Sequence, residues 1–265
     1  MRLSIHLSYL FLLAGLLNAC QNTPLAMYLN DPQYQVSTIK GDRFSHQIIE
    51  NAGKTSSTLR VYIEGDGRPW WTRTQIALDP TPRKLPVLEL MANDDAAAVY
   101  LGRPCYFALK DPACGSLWWT QARYSQQVVQ SMNHVLDQLV KSYESIQLIG
   151  HSGGGTLAML MASQRQDVSA VVTLAGNLDI DAWADYHSYT PLDKSLNPVN
   201  FKLNAAVRQL HWVGSEDEVL PDWMVERAAI ETGGVARVIE GIDHGCCWRR
   251  YWTEILEELD RNRSE

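Results

Sequence analysis

No uninterrupted run of about 20 apolar residues occurs in this chain, so a helix spanning a bilayer is not expected. Basic residues are too few for a broad nucleic-acid footprint: 23 Lys and Arg stand against 30 Asp and Glu, a formal net charge of −7. Internal repeats and low-complexity tracts are absent, which argues against an array of stacked units. No His/Cys spacing has the form of a zinc site, and no cofactor or metal is implied. No Pro- or Gly-rich linker divides the chain after its first 33 residues, so one domain over residues 34–265 is expected. With 46% hydrophobic residues, that length supports a substantial core.

What is present begins at the N-terminus. Arg2 precedes an apolar run, Leu3 to Leu17, broken only by Ser4, His6, Ser8 and Gly15. A charged start followed by a short apolar stretch is the pattern of a secretory signal. The run ends in Leu17-Asn18-Ala19-Cys20, which resembles a bacterial lipobox. That resemblance implies a signal peptide over residues 1–19, acylation of Cys20 and a polar tether over residues 20–33. An ordinary signal peptide with an incidental cysteine is the alternative. Gln21, rather than Asp, follows Cys20, and the sorting pattern then implies the periplasmic face of the outer membrane. Several acyl chains on one cysteine would hold the protein stably on a membrane.

Four cysteines remain: Cys105, Cys114, Cys246 and Cys247. In an oxidising compartment they allow three pairings. Cys105 and Cys114 enclose a short stretch and form the natural first pair. Adjacent Cys246 and Cys247 would bond to each other only with strain, and four buried free thiols are the other reading.

Along the chain, short apolar runs alternate with helical patterns. Strands are expected at Ser45–Glu50, Leu59–Glu64, Ala96–Leu101, Ile146–Ile149, Ala170–Leu174, Gln209–Val213 and Ala236–Ile239. Helices are expected at Tyr124–Val140, Gly154–Ser163, Trp223–Glu231 and Trp248–Asp260. Arg68 to Asp95 reads as loop-rich and Ala175 to Asn200 as irregular. This alternation implies a mostly parallel central sheet with helices on both faces.

Gly150-His151-Ser152-Gly153-Gly154 fits G-x-S-x-G, and its setting matters more than its letters. It follows a buried strand and opens a helix, the strand–turn–helix context of a nucleophile elbow. Gly214-Ser215-Glu216-Asp217-Glu218-Val219-Leu220-Pro221 follows a later strand and resembles a G-x-x-D-x-x-x-P acid loop. Gly241-Ile242-Asp243-His244-Gly245 lies between the last strand and the last helix. With Glu64-Gly65-Asp66-Gly67 after an early strand, these segments resemble the α/β-hydrolase superfamily over roughly residues 44–260.

The resemblance implies an α/β-hydrolase fold with Ser152 as nucleophile, His244 as base and Asp217 as acid. His187 and His211 are rival bases, and Asp179 or Asp181 is the runner-up acid; His151 must point elsewhere on the tight turn. Gly153 and Asp66 would supply the oxyanion-hole amides. Relatives often carry His-Gly where this chain has Glu64-Gly65, and a carboxylate at Asp66 would oppose catalysis unless neutralised by Arg68 or Arg103.

Nine tryptophans include the pairs Trp70-Trp71 and Trp118-Trp119. Most are expected in the core or at its rim, although a sugar- or lipid-binding wall is the alternative. Trp183, Tyr186, His187 and Tyr189 fall where the superfamily often inserts a pocket wall. The leading functional expectation is hydrolysis of a small-molecule acyl ester at the cell envelope. A thioesterase or amidase would use the same triad, and a non-catalytic envelope lipoprotein would use the same fold for binding.

Overall fold

The computed structural model describes residues 25–51 and 53–261; the signal segment 1–19 and Cys20 lie outside the described residues. In chain order the main elements are α1 (Ala26–Leu29), β1 (Tyr34–Lys40), β2 (Ser45–Asn51), β3 (Thr58–Ile63), α2 (Pro86–Met91), β4 (Ala98–Leu101) and α3 (Gln126–Leu139). They continue with β5 (Ser145–His151), α4 (Gly153–Ala162), β6 (Val168–Leu174), α5 (Ile180–Tyr186), β7 (Arg208–Gly214), α6 (Asp222–Thr232), β8 (Val235–Ile239) and α7 (Trp248–Asp260).

The strands form one sheet in the order β1-β2-β4-β3-β5-β6-β7-β8. β1 pairs with β2, and β2 with β4, antiparallel; every pairing from β4 to β8 is parallel. Side chains alternate across the pleat, so each central strand feeds two cores. Val61, Val99, Leu148 and Val171 pack on one face with α3, α4 and α6. Tyr62, Tyr100, Ile149 and Val172 pack on the other with α2 and α7. Helix α4 is buried along its whole length, which explains why its sequence is apolar on every side.

Four elements depart from the sequence expectation. β1 is an edge strand of mostly exposed and half-exposed residues, so it carries no strong apolar alternation. α2 starts on Pro86, at a position where a missing N–H costs nothing; a proline read as a loop marker is here a helix start. α5 spans seven residues, too few for a 3.6-residue period to stand out. Within the segment read as a tether, α1 forms, and Leu25 and Tyr28 are buried against the core.

Because β3 to β8 run parallel, the loops leaving their carboxyl ends gather on one side. Those loops begin at Glu64, Gly102, Ser152, Ala175, Ser215 and Glu240. Every segment singled out by motif therefore opens onto the same edge.

Candidate active site

The turn between β5 and α4 carries Ser152 in a backbone conformation that L-residues rarely adopt, φ 52° and ψ −123°. Packing holds it there. A side chain at Gly150 would strike the backbone of Gly154, and one at Gly154 would strike the carbonyl of Ile63 in β3. Ser152 N–H donates to Leu174 O at 2.9 Å, while its own carbonyl accepts from Gly155 N–H at 2.9 Å. The first amides of α4 have no partner within the helix and place partial positive charge beside the serine.

His244 leaves the loop after β8 and brings Nε2 to 3.0 Å from Ser152 Oγ. Its Nδ1 lies 2.8 Å from Asp217 Oδ2. Asp217 is buried, and its other oxygen accepts the N–H groups of Val219 at 2.9 Å and Leu220 at 2.7 Å. A carboxylate fixed in this way selects the imidazole tautomer with its lone pair on Nε2, facing the serine. Serine, histidine and aspartate thus form one hydrogen-bonded line.

His151, one residue before Ser152, does more than clear the turn. Its ring is buried, which together with neighbouring His244 lowers its pKa to about 4. The neutral ring donates Nε2–H to the carbonyl of His244 at 2.8 Å, and Trp248 Nε1–H reaches the same oxygen at 3.3 Å. A residue of the turn therefore pins the loop that carries His244. The motif marks this position only as x, so sequence reasoning had no signal for it.

The rivals are occupied elsewhere. His211 is fully buried in β7 with Nδ1 at 2.9 Å from Thr173 Oγ1, and burial lowers its pKa to about 4. His187 Nε2–H donates to Val219 O at 2.9 Å. Asp179 caps α5 through Ala182 N–H at 3.2 Å and also takes Asn197 at 2.8 Å and Arg227 at 3.1 Å. Asp181 accepts from the same Asn197 amide at 2.9 Å. Glu216 and Glu218 are exposed.

Asp66 has a more elaborate setting. Its carboxylate lies against the Cα of Gly153, where any side chain would collide with it. Arg103 pairs with one oxygen; Arg123 Nη1 at 2.8 Å and Tyr124 Oη at 2.6 Å donate to the other. Burial opposes the charge, but the two guanidiniums outweigh it and hold the carboxyl well below the usual carboxylate range. Tyr106 Oη donates to the carbonyl of Asp66 at 2.8 Å, which fixes the backbone too. Arg103 is one of the two neutralising residues expected; Arg68 lies over the Trp71 ring at 4.2 Å instead, and Arg123 takes its place. The neighbouring Glu64 is buried, with one carboxyl oxygen lacking any partner. Burial pushes its pKa up to about 8, against the opposing pull of the Gly65, Val87 and Leu88 amides.

Cys105 is joined to Cys114, and Cys246 to Cys247. Among the described residues no group of three or more His, Cys, Asp or Glu could hold a metal ion, and no helix is long and apolar enough to cross a membrane.

Comparison with known proteins follows the same lines. An esterase from Pyrococcus furiosus superposes with a TM-score of 0.61 at 12% identity, over 90% of this chain and 93% of that one. The fold is that of the α/β hydrolases. An esterase/lipase from an uncultured bacterium matches this chain with a TM-score of 0.55 at 14% identity, over 83% of this chain and 78% of that one. Puromycin hydrolase matches at 0.59 and 16% identity, over 87% of this chain but 40% of its own. In sequence, the model of the lipase (class 3) family matches residues 96–170, from just before β4 to the third residue of β6. No curated protein matches.

Two outcomes are expected from this geometry. Asp217→Asn should lower the rate at which a fluorophosphonate labels Ser152 by about ten-thousand-fold, because an amide favours the wrong tautomer. Asp179→Asn should leave that rate within about tenfold and cost at most about 1 kcal/mol of stability, because asparagine keeps the cap and loses only the charge pairing with Arg227; labelling rates and urea midpoints check both. For Glu64, the folded pKa lies above the unfolded one, so its protonated form favours the fold. That contribution is present below the unfolded value of 4.5 and is lost as pH rises towards about 8. Glu64→Gln should therefore flatten the pH dependence of the urea midpoint across this window.

Proposed function

We propose that this chain is a serine hydrolase of carboxylic esters, working through an acyl-enzyme. The observation that carries the reading is the continuous line from Ser152 Oγ to His244 Nε2 at 3.0 Å and from His244 Nδ1 to Asp217 Oδ2 at 2.8 Å. The names of the similar esterase structures and the lipase match over residues 96–170 favour an ester as the bond cleaved.

In this mechanism Ser152 Oγ attacks the ester carbonyl while His244 Nε2 takes its proton. Asp217 stabilises the imidazolium that forms. The tetrahedral oxyanion is received by the amides of Gly153 and Asp66, prearranged before the substrate arrives. His244 then returns the proton to the departing alkoxide, leaving Ser152 acylated. Water attacks the acyl-enzyme with His244 again as base, and the acid product leaves. The reading places the enzyme on the periplasmic face of the outer membrane through acylated Cys20, on the strength of the apolar run and the lipobox-like Leu17-Asn18-Ala19-Cys20.

Ser152→Ala should abolish labelling by a fluorophosphonate and lower p-nitrophenyl acetate hydrolysis by at least about a thousandfold, with circular dichroism unchanged. More than about a tenth of the wild-type rate in the variant would dismiss the assignment. For the anchor, cells fed radiolabelled palmitate should yield a labelled wild-type protein and an unlabelled Cys20→Ser. Equal labelling of the two rules out acylation at this cysteine.

A further inference from the structure

A cleft of about 1190 Å³ is walled largely by aromatic rings and shares Arg123 with the surroundings of Asp66. One wall is the turn closed by the Trp70–Ile76 bridge. Trp70 there is 42% exposed and Trp71 55%, with Arg68 lying over the Trp71 ring. A second wall carries a ladder of rings: Tyr189, 54% exposed, stacks on His187 at 5.1 Å and meets Trp183 edge-on at 5.2 Å. The polar residues Thr72, Gln121 and Thr190 also line the cleft, together with Ile76, Leu117 and Leu192.

The cleft is built onto the catalytic elements. Arg123 lines it and reaches the Asp66 carboxylate at 2.8 Å, which itself lies against Gly153. The ring ladder is fastened to the acid loop: Trp183 Nε1–H and His187 Nε2–H both donate to Val219 O, at 3.0 and 2.9 Å. Val219 in turn donates to Asp217. The cleft is thus linked to Gly153 through Arg123 and Asp66, and to Asp217 through the ring ladder and Val219.

Open indole and phenol faces in one cleft with hydrogen-bonding side chains ask for a ligand with the same combination. A pyranose ring has it: one face of polarised C–H bonds for the electron-rich rings, and a rim of hydroxyls for Thr72, Gln121 and Thr190. A long acyl chain does not. Each methylene gains about 0.8 kcal/mol only by leaving water for an apolar wall, and the polar groups here would lose their hydration without a partner. We propose that the cleft binds the carbohydrate part of an O-acylated oligosaccharide and presents its ester to Ser152. This assignment rests on the ester-hydrolase reading above.

The test separates the two. Free xylotetraose, cellotetraose and N-acetylchitotetraose are titrated into the Ser152→Ala protein and followed by tryptophan fluorescence; the O-acetylated forms are then given to the wild type. At least one tetrasaccharide should bind. Its acetyl ester should have a kcat/KM at least about tenfold above that of p-nitrophenyl decanoate. Trp71→Ala should weaken the binding by about tenfold or more, and Trp71→Phe should restore it to within about threefold of the wild type. Both changes are at an exposed residue, and unchanged thermal melting shows the fold intact. If p-nitrophenyl acetate is turned over but none of the three sugars binds, the carbohydrate assignment fails and the ester reading stands. Decanoate outpacing every acetyl sugar overturns it in the same way. If the wild type turns over no ester at all, the hydrolase reading fails, and the substrate class falls with it.

Discussion

The close approach of α4 to β3 and β5 is the constraint on which the site depends. Ser152 projects from its turn only because the chain reverses from strand to helix within one residue, at a positive φ. Such a conformation costs about 1–3 kcal/mol and persists only where packing over-determines it. Here the surroundings do so twice. Backbone meets backbone at Gly150 and Gly154, leaving no volume for a relaxed turn. The apolar helix behind them is buried at every residue, and each of Leu157, Met159, Leu160 and Met161 contributes about 1.5–3 kcal/mol by burial. The strain is small beside the burial of the element that imposes it.

Charge around the turn is arranged with similar economy. Asp66 alone would set a negative charge against Gly153, where a developing oxyanion is proposed to sit. Arg103 and Arg123 together bring two positive charges to that one carboxylate. The cluster therefore carries a net positive charge beside the α4 amides, in surroundings that screen charge less than water does. Burying such groups is costly unless their donors and acceptors are matched. The carboxylate meets that condition through Arg103, Arg123 and Tyr124, while Arg103 Nε remains without a partner. On the proposed mechanism Asp66 is less an oxyanion neighbour than the post that holds two arginines beside the hole.

How much of this was legible depends on how local each feature is. The elbow could be read because strand, turn and helix are consecutive, and α7 because the apolar stripe from Trp248 through Trp252, Ile255 and Leu259 repeats at helical spacing. The placing of Asp217 and His244 came through resemblance, at motif positions following two successive strands. The partners of Asp66 were only partly legible. Arg103, Arg123 and Tyr124 lie 37, 57 and 58 residues away, and no periodicity connects them. β1 and α5 were missed for a different reason: an edge strand and a two-turn helix bury too little apolar surface to imprint a pattern.

The loop of His244 shows how the separate pieces fit together. Residues Gly241, Asp243 and Gly245 to Cys247 are exposed, so hydrophobic packing alone would leave His244 loosely placed. Specific bonds take over. The carbonyl of Ile242 accepts the N–H of Glu216 at 3.0 Å, tying the loop to the segment that carries the acid. The carboxylate of Asp243 turns back onto the N–H groups of Gly245 at 2.9 Å and Cys246 at 2.6 Å, which shapes the loop from within. The carbonyl of His244 is held by His151, a residue whose own position follows from the elbow. Burial keeps that imidazole neutral well below neutral pH, so the bond needs no charge and imposes none on the base. Ser152, His244 and Asp217 are thus registered to each other with the help of backbone atoms, and the packing that strains Ser152 also sets the place from which His244 reaches it.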